Sequence, residues 1–274
     1  MTQPERLTAV LGERERRPET RKRLIAEALL AAGSATPQDL ASKFGVSVVT
    51  IHRDLHELER RGMVRKFHGG VVAKPSGTFE SQMSHRLAAM AAEKAAIAGA
   101  ALKYVESGMS ILLDDSTTAL RMIDGLAEYT PLHVATTFVA GLRRLSELAR
   151  ADDELTVIGI GGRYDVAHDS FVGVQTTDQV RGLHVDAMFM STSAVAGTDM
   201  YHQEEQIVVL KRQMMASATK RYLLVDHSKL GRMALVKIAS LSEFELVITD
   251  PGVDPAILRA WQAAGIAFEV ADNS

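Results

Sequence analysis

Apolar residues recur at helical spacing in three short segments near the start of the chain. The first segment, residues 20–32, ends at Gly33, a residue that suits a C-terminal cap. The second starts at an N-cap, Thr36, with Pro37 at the first helical position, and ends at Gly45. The stripes are Leu24, Ile25, Ala28, Leu29 and Ala32 in the first segment and Leu40, Ala41 and Phe44 in the second.

The third segment opens at Ser47, which can cap it, and ends near Gly62. Its stripe is Ile51, Leu55 and Leu58, at spacing i, i+4 and i+7. Two short helices separated by a turn that contains glycine indicate a helix-turn-helix. Residues 63–72 then form two β-type runs around a His-Gly-Gly turn, which predicts the wing of a winged helix.

Turn-forming residues at 74–78 place a domain boundary near residue 76. Beyond it, a helix is predicted over residues 84–105, and short apolar runs then alternate with amphipathic segments. This alternation predicts a mostly parallel α/β sheet covered on both faces, with ligands bound at the carboxyl ends of the strands. The six runs are 111–113, 132–135, 155–158, 187–190, 222–225 and 246–248.

The length of 274 residues suits about two domains, and a content of 46% hydrophobic and 24% charged residues excludes collagenous, disordered and coiled-coil chains. There is no cysteine, which excludes disulfides, thiolate metal sites and a Cys nucleophile. Residues 1–19 lack the apolar run of a signal peptide, and no later run is long enough to span a membrane. We therefore expect a cytoplasmic protein with a disordered tail at 1–19, a winged helix-turn-helix domain at 20–75 and an α/β domain at 76–274, with neither cofactor nor metal.

Positive charge is concentrated at one end. Residues 1–75 carry 14 Lys and Arg against 9 Asp and Glu, whereas the remainder carries 17 against 25. A basic segment joined to an acidic body is typical of a module that binds a polyanion.

Helical stepping from the buried Ile51 places Val49, His52, Arg53 and His56 on the exposed side of the third helix. This is how a recognition helix presents side chains to the major groove, while the wing contacts the DNA backbone. The candidate DNA-binding residues are Ser47, Val48, Thr50, His52, Arg53, His56, Lys66 and His68. One alternative is a module for oligomerisation or protein binding, and another is a metal pair at His52 and His56, which has no third ligand nearby.

Polar residues follow several of the predicted strands. Residues 114–120 lead from a strand into a helix and present hydroxyls and amides at its amino terminus, which suits an anion, although Ser116 and Thr117 can equally be simple caps. Thr136 follows the next strand. Gly161 and Gly162 follow the third, in a loop that is not a dinucleotide fingerprint because Tyr164 stands where its last glycine would be.

Lys211 lies in the middle of the apolar stripe of a helix predicted over residues 204–218. A lysine there must snorkel, pair with an acid or face a ligand. Asp226 and Lys229 follow another strand and suit a sugar hydroxyl and a phosphate, with a solvated turn ion pair as the alternative. For Asp250 we favour turn capping.

The N-terminal part of the chain contains a long sequence motif. It comprises residues 39–55, Asp-Leu-Ala-Ser-Lys-Phe-Gly-Val-Ser-Val-Val-Thr-Ile-His-Arg-Asp-Leu, then Leu58-Glu59 and Gly62, and finally residues 65–70, Arg-Lys-Phe-His-Gly-Gly. This motif resembles the DNA-binding domain of the DeoR family of bacterial sugar-metabolism repressors. The rest of the chain resembles the sensor domain of that family, whose fold is related to ribose-5-phosphate isomerase and which senses phosphorylated sugars. The family's phosphate loop falls on residues 114–118, its Ile-Gly-Gly on 160–162 and its Asp-x-Ser-Lys on 226–229. Its basic positions associated with inducer response fall on Arg86 and Lys94.

Four positions depart from the family pattern: His52 replaces an arginine, Ser116 and Ser193 replace glycines, and Thr137 replaces an asparagine. A Cβ at Ser116 narrows the loop or changes the ligand pose. Together, residues and resemblance give these candidate effector-binding residues: Arg86, Lys94, Asp114, Ser116, Thr117, Thr118, Thr136, Gly161, Gly162, Lys211, Asp226 and Lys229.

The sequence thus predicts a transcriptional repressor that binds double-stranded operator DNA as a homodimer or homotetramer and is released by a phosphorylated sugar or polyol. A first alternative is a sugar-phosphate isomerase with a DNA anchor, in which Asp114 or Glu204 is the base and Lys211 or Lys229 holds the phosphate. A second is a DNA-binding activator without an effector.

Overall fold

A computed structural model describes residues 18–32, 34–60, 63–67, 70–73 and 83–272. The chain divides into two compact units, Met1–Ser81 and Gln82–Ser274. Residues 1–17 of the expected tail lie outside the described residues. The predicted helix end at Gly33 and the residues Gly62, His68 and Gly69 lie outside them as well. The first helix begins at Pro18, two residues before its predicted start.

The N-terminal unit is a winged helix-turn-helix. Its helices are α1 (Pro18–Ala32), α2 (Pro37–Phe44) and α3 (Val48–Arg60), and its strands are β1 (Ser34–Ala35), β2 (Val64–Phe67) and β3 (Gly70–Ala73). The three helices bury a shared core, and the strands form an antiparallel sheet in the order β1–β3–β2. The predicted helices and wing are confirmed, and β1 is an addition too short for any periodicity to indicate it.

Local signals explain why α2 begins and ends where it does. The Thr36 hydroxyl accepts from the Asp39 amide, and the Asp39 carboxylate accepts from the Thr36 amide, which completes a capping box. At the other end, Gly45 has φ 61°, a left-handed conformation that glycine adopts readily.

The C-terminal unit is built on a seven-stranded parallel sheet, in the order β15–β14–β12–β9–β4–β5–β6. Six of these strands confirm the six apolar runs, and the short edge strand β15 adds a seventh. The strands are β4 (Ser110–Leu113), β5 (Leu132–Thr136), β6 (Leu155–Gly159), β9 (Val185–Met190), β12 (Ala218–Leu224), β14 (Leu246–Thr249) and β15 (Phe268–Val270).

Helices cover both faces of this sheet, and each face has its own core. Leu112, Met188 and Leu223 pack with the helix that carries Lys211, whereas Ile111 and Phe189 pack against the other face. The α-helices are α4 (Met83–Ala88), α5 (Ala91–Leu102), α6 (Val139–Ala149), α7 (Val174–Arg181), α8 (Glu205–Ala216) and α9 (Pro255–Ala263), and the 3₁₀ helices are Ala119–Tyr129, His227–Lys229 and Leu241–Glu243.

The prediction of a single helix over residues 84–105 is wrong in one respect, because the structure has two helices there, α4 and α5. The break falls at Ala89 and Met90, and Met90 has φ 52° and ψ 44°. Backbone in this left-handed region cannot continue a right-handed helix. The helix predicted over residues 204–218 is confirmed as α8, which is shorter than predicted at both ends.

Two small antiparallel sheets lie outside the sequence predictions. One is the hairpin of β7 (Arg163–Asp165) and β8 (Ser170–Val172), and the other joins β10 (Ala194–Ala196), β11 (Asp199–His202) and β13 (Val236–Ser240). Within the part of the chain that the structure describes, no helix combines the length and the apolar character that a membrane crossing requires.

Candidate DNA interface and effector site

The cap of α3 engages two of the candidate DNA-binding residues. The Ser47 hydroxyl accepts from the Thr50 amide at 3.2 Å and lies 2.9 Å from the Thr50 hydroxyl. Ser47 therefore caps the helix as the sequence predicts, and the cap fixes the backbone of its first turn.

The exposed face of α3 carries the predicted set of side chains. Val49 is 73% exposed, and His52, Arg53 and His56 are exposed on the same side of the helix. A polar and cationic face with one apolar side chain suits the edges of bases and the phosphates of a major groove.

A buried ion pair, which sequence reasoning missed, anchors the other side of α3. The Arg21 guanidinium on α1 donates to both oxygens of Asp54, at 2.6 and 3.2 Å, and both side chains are buried. The two parallel hydrogen bonds fix the direction of α3 relative to α1. The available signal was the position of Asp54 on the apolar side of the helix.

The wing is tied to the same helix. Glu59 accepts from the backbone amide of Lys66 at 3.2 Å, and the Lys66 ammonium lies 3.1 Å from the Glu59 carboxylate. These hydrogen bonds to Lys66 hold the pKa of Glu59 below its usual value. The candidate residue His68 lies outside the described residues. Among the residues that are described, no group of three or more acidic or histidine side chains is arranged to hold a metal ion.

In the C-terminal unit, the loop after β4 contains a buried network around Asp114. One carboxylate oxygen accepts from the Ser116 amide at 3.0 Å, and the other accepts from the Ser191 amide at 2.9 Å and from the Lys211 ammonium at 2.6 Å. Lys211 also lies 3.6 Å from Asp115. Of the three alternatives for Lys211, the structure favours the internal ion pair.

The hydroxyls of this loop make local bonds. The Ser116 hydroxyl accepts from the Ala119 amide at 3.0 Å, which caps the 3₁₀ helix that follows. The Thr117 hydroxyl donates to the Arg86 carbonyl at 3.1 Å, and Thr118 is buried. Ser116 therefore takes the capping alternative, whereas Thr117 reaches across to the end of α4.

Lys94 is a buried cation of the C-terminal unit with a lowered pKa. Its side chain is buried on α5, and its ammonium group donates to the Arg86 carbonyl at 2.6 Å and to the Ala89 carbonyl at 2.8 Å. Burial is the main reason why the pKa of Lys94 falls to about 8; Asp226 opposes the shift and the positive charge of Lys229 adds to it.

Two further cations, Arg86 and Arg121, also lower the pKa of Lys94. We call the four side chains Arg86, Lys94, Arg121 and Lys229 the basic cluster. Arg121 was not predicted, although helical stepping from the loop would have placed it one turn beyond Thr117.

The turn after β12 is organised by two carboxylates. Asp226 is buried, accepts from the Ser228 amide at 3.1 Å and contacts the Ser228 hydroxyl. Asp250 accepts from the Gly252 amide at 2.9 Å, which confirms its capping role, and also holds the backbone and ring of His227 at 2.7 and 2.6 Å.

The remaining predicted residues are engaged in packing. The Thr136 hydroxyl accepts from the Phe138 amide at 3.1 Å. The Gly161 carbonyl accepts from Thr176 at 3.0 Å and from Gln179 at 3.2 Å, both on α7. A Cβ on Gly162 would lie 2.0 Å from the Thr176 hydroxyl oxygen, so this glycine permits close contact with α7.

A chain of charged residues, mostly missed by sequence reasoning, extends from the Asp114 network. The buried His168 lies 2.9 Å from the Glu204 carboxylate through Nε2 and 3.9 Å from Asp115 through Nδ1. Burial would raise the pKa of Asp115, but Lys211, His168, Arg86 and His202 together hold it below its usual value. His168 lies in the turn between β7 and β8 and His202 ends β11, and their spacing carries no recognisable signal.

The fold and these sites define a DNA-binding transcriptional regulator: a winged helix-turn-helix followed by an α/β sensor domain. The model of the DeoR-like helix-turn-helix domain matches residues 21–76, and that of the DeoR C-terminal sensor domain matches residues 89–251. The chain belongs to the DeoR family.

Similar proteins agree with this assignment. The chain is 30% identical to the HTH-type transcriptional regulator GolR of Listeria innocua, over 93% of this chain and 99% of that protein. It is 29% identical to the lactose phosphotransferase system repressor of Streptococcus mutans, over 85% and 92% of the two chains. Among solved structures, ribose 5-phosphate isomerase A of Methanocaldococcus jannaschii is 22% identical to this chain, and the match covers 50% of this chain and 53% of that one, with a TM-score of 0.34.

Proposed function

We propose that the protein is a repressor of carbohydrate-metabolism genes, which binds its operator as a homodimer or homotetramer and is released by a phosphorylated sugar or polyol. The exposed face of α3 and the excess of positive charge in residues 1–75 support binding to DNA. The similarity to a lactose phosphotransferase system repressor supports control by sugars.

The observation that carries the effector assignment is the basic cluster. Lys94 is buried, which is the main cause of its low pKa, and the charge of Asp226 opposes the shift. Repulsion from Lys229, Arg86 and Arg121 lowers the pKa further. A phosphate dianion beside the cluster would offset this repulsion and stabilise the charged form of Lys94. The charge of Asp226 acts on Lys94, and the carboxylate, which accepts from Ser228 through one oxygen, suits a sugar hydroxyl.

The energy that release requires is modest. A ~100-fold loss of operator affinity corresponds to a coupling free energy of about 2.7 kcal/mol between the two sites. Linkage requires the operator to weaken effector binding by the same factor. Two or three charge-assisted hydrogen bonds that form in only one state supply energy of this size.

The carboxylates that an isomerase would use as a base have other partners. Asp114 accepts from Lys211, and Glu204 accepts from His168, an interaction that holds the pKa of Glu204 below its usual value. A carboxylate stabilised in its charged form is a poor proton acceptor. This favours a sensor over an enzyme.

The test begins with selection of the operator from random duplex DNA by the purified full-length protein. Affinity is then measured by fluorescence anisotropy at fixed salt, since phosphate contacts make it salt-dependent. Phosphorylated sugars and polyols are titrated into the complex, and each is assayed for turnover. Lys229→Ala removes one cation of the basic cluster, and Lys220→Ala, an exposed lysine of β12, is the matched control.

We expect one compound to weaken operator binding at least about tenfold in the wild type and in Lys220→Ala, and to have little effect on Lys229→Ala. All three proteins should bind DNA equally well without it. Sequence-specific binding without any response would contradict the proposed effector class, and turnover of a sugar phosphate would support the isomerase instead.

A further inference from the structure

The break between α4 and α5 contradicts the local sequence. Residues 86–94 are Arg-Leu-Ala-Ala-Met-Ala-Ala-Glu-Lys, all strong helix formers, without glycine or proline. Nothing in this stretch terminates a helix, yet Met90 adopts a left-handed conformation that side chains with a Cβ rarely take. Side-chain interactions, rather than local helix propensity, must therefore hold the break in place.

The carbonyl groups at the end of α4 show what that interaction is. In a continuous helix, the carbonyls of Arg86, Leu87 and Ala89 would accept from the amides four residues later. They accept from side chains instead. Lys94 donates to the Arg86 and Ala89 carbonyls, at 2.6 and 2.8 Å.

Two more donors complete this arrangement. The Thr117 hydroxyl donates to the Arg86 carbonyl at 3.1 Å, and the Arg121 guanidinium donates to the Leu87 carbonyl at 3.3 Å. These donors belong to the loop after β4 and to the basic cluster, where the proposed effector phosphate binds. The end of α4 and a bound phosphate therefore compete for the same hydrogen-bond donors.

We infer that α4 is a conformational switch: an anionic effector withdraws Lys94, Thr117 and Arg121 from the carbonyls of α4, and residues 83–102 then join into one continuous helix. Both states satisfy the carbonyl groups of Arg86, Leu87 and Ala89, the first through side chains and the second through helical hydrogen bonds. The effector shifts the balance because its phosphate contacts form only when the donors are released. This inference rests on the proposed function, since it assumes that the basic cluster binds a phosphate.

The position of α4 in the chain gives the switch an output. Among the described residues, α4 is the first helix of the C-terminal unit, which follows the N-terminal unit in the chain from Gln82 onward. Joining α4 to α5 would change the direction of the chain at the start of this unit. The Arg86 guanidinium, which donates to the His168 carbonyl at 3.2 Å, would move with α4.

The experiment uses the full chain, with inorganic phosphate as the probe. Hydrogen–deuterium exchange reports two regions: loop residues 114–118, which show whether phosphate binds, and residues 90–93, whose amides gain partners only in the joined helix. Met90→Gly favours the break, because glycine adopts the left-handed conformation without strain and disfavours helix. Met90→Ala is the matched control, since it removes the same side-chain atoms beyond Cβ and keeps helix propensity.

We expect phosphate to protect both regions in the wild type and in Met90→Ala. In Met90→Gly it should protect the loop, but protection of residues 90–93 should need about tenfold more phosphate. Protection of the loop with no change at 90–93, or equal behaviour of the two variants, would overturn the switch and leave the proposed effector class standing. Protection of neither region would contradict both.

Discussion

Lys211 and Asp114 lie 97 positions apart in the chain, and the ammonium of the first donates to the carboxylate of the second at 2.6 Å in a fully buried site. The pair joins α8 to the loop after β4. Asp115 is also buried, 3.6 Å from the same ammonium, so Lys211 stabilises two carboxylates, with His168 and Arg86 also acting on Asp115.

Lys211→Met should therefore destabilise the protein severely. Removing one partner of a buried ion pair typically costs about 3–5 kcal/mol, because the remaining charge has no counterion. The free energy of unfolding, measured by urea denaturation, gives the loss. Lys237→Met is the control, since Lys237 pairs with Asp199 at the surface and its removal should destabilise the protein far less. Equal losses in the two variants would show that the buried pair has no special role.

Effector binding should weaken above neutral pH, because the phosphate requires a charged Lys94. With a pKa of about 8, Lys94 is mostly protonated near pH 7 and mostly neutral near pH 9. If one proton is needed for binding, the apparent affinity should fall about tenfold across this interval. The phosphate itself stays a dianion over this range, since its second pKa is about 6.

Lys94→Arg provides the comparison for this pH dependence. Arginine keeps its charge at every pH used, so the profile of this variant should be flat whatever its absolute affinity. A wild-type profile that is flat as well would show that Lys94 does not contact the effector. Binding is measured by calorimetry at matched ionic strength.

Gly162 was predicted to bind the effector, whereas in the structure it permits close packing against α7. Gly162→Ala places a methyl group 2.0 Å from the Thr176 hydroxyl and should lower the melting temperature by several degrees. Gly161→Ala is the neighbouring control, because no atom lies within 4 Å of its added Cβ. Gly162→Ala combined with Thr176→Ala should recover part of the loss. A stable Gly162→Ala that has lost only its effector response would support the original prediction.

Val49 should contribute to operator sequence preference. It is 73% exposed on the face of α3 that carries Arg53, and an apolar side chain in the major groove contacts the methyl group of thymine. Burying one methyl group stabilises a complex by about 0.8 kcal/mol, roughly fourfold in affinity. Replacing thymine by uracil across the selected operator should therefore reveal a position at which the wild type loses about fourfold and Val49→Ala loses nothing.

Val174→Ala serves as the control for this experiment, because Val174 is 78% exposed in the sensor domain. It should respond to uracil as the wild type does. If the wild type and Val49→Ala lose the same affinity at every position, Val49 does not read a thymine methyl.

The sequence predicted the elements whose signals are local. The apolar stripe through Ile51, Leu55 and Leu58 and the caps at Thr36 and Ser47 each lie within one turn of the backbone they define. The six apolar runs of the central sheet were recognisable because strands buried on both faces are continuously hydrophobic. Strands of two or three residues, such as β1 and β15, have too few positions to show any period.

The site was harder to predict, because its contacts join distant segments. Lys211 could be placed on the buried side of its helix, but its partner Asp114 became clear only in three dimensions. His168 and Glu204 are 36 positions apart, and neither belongs to a motif. The break at Met90 was predicted as continuous helix because the donors that cause it include Thr117 and Arg121, far along the chain.

The two sides of α3 have separate roles, which affects how the DNA sequence preference of such a regulator can evolve. The core and the Arg21–Asp54 pair hold the helix from one side, whereas Val49, His52, Arg53 and His56 contribute to none of that support. If these four positions read the operator as proposed, substitutions there should change the DNA sequence that is recognised at little cost in folding. After gene duplication, we therefore expect a copy of this chain to acquire a new operator through a few mutations, while its sensor domain diverges independently.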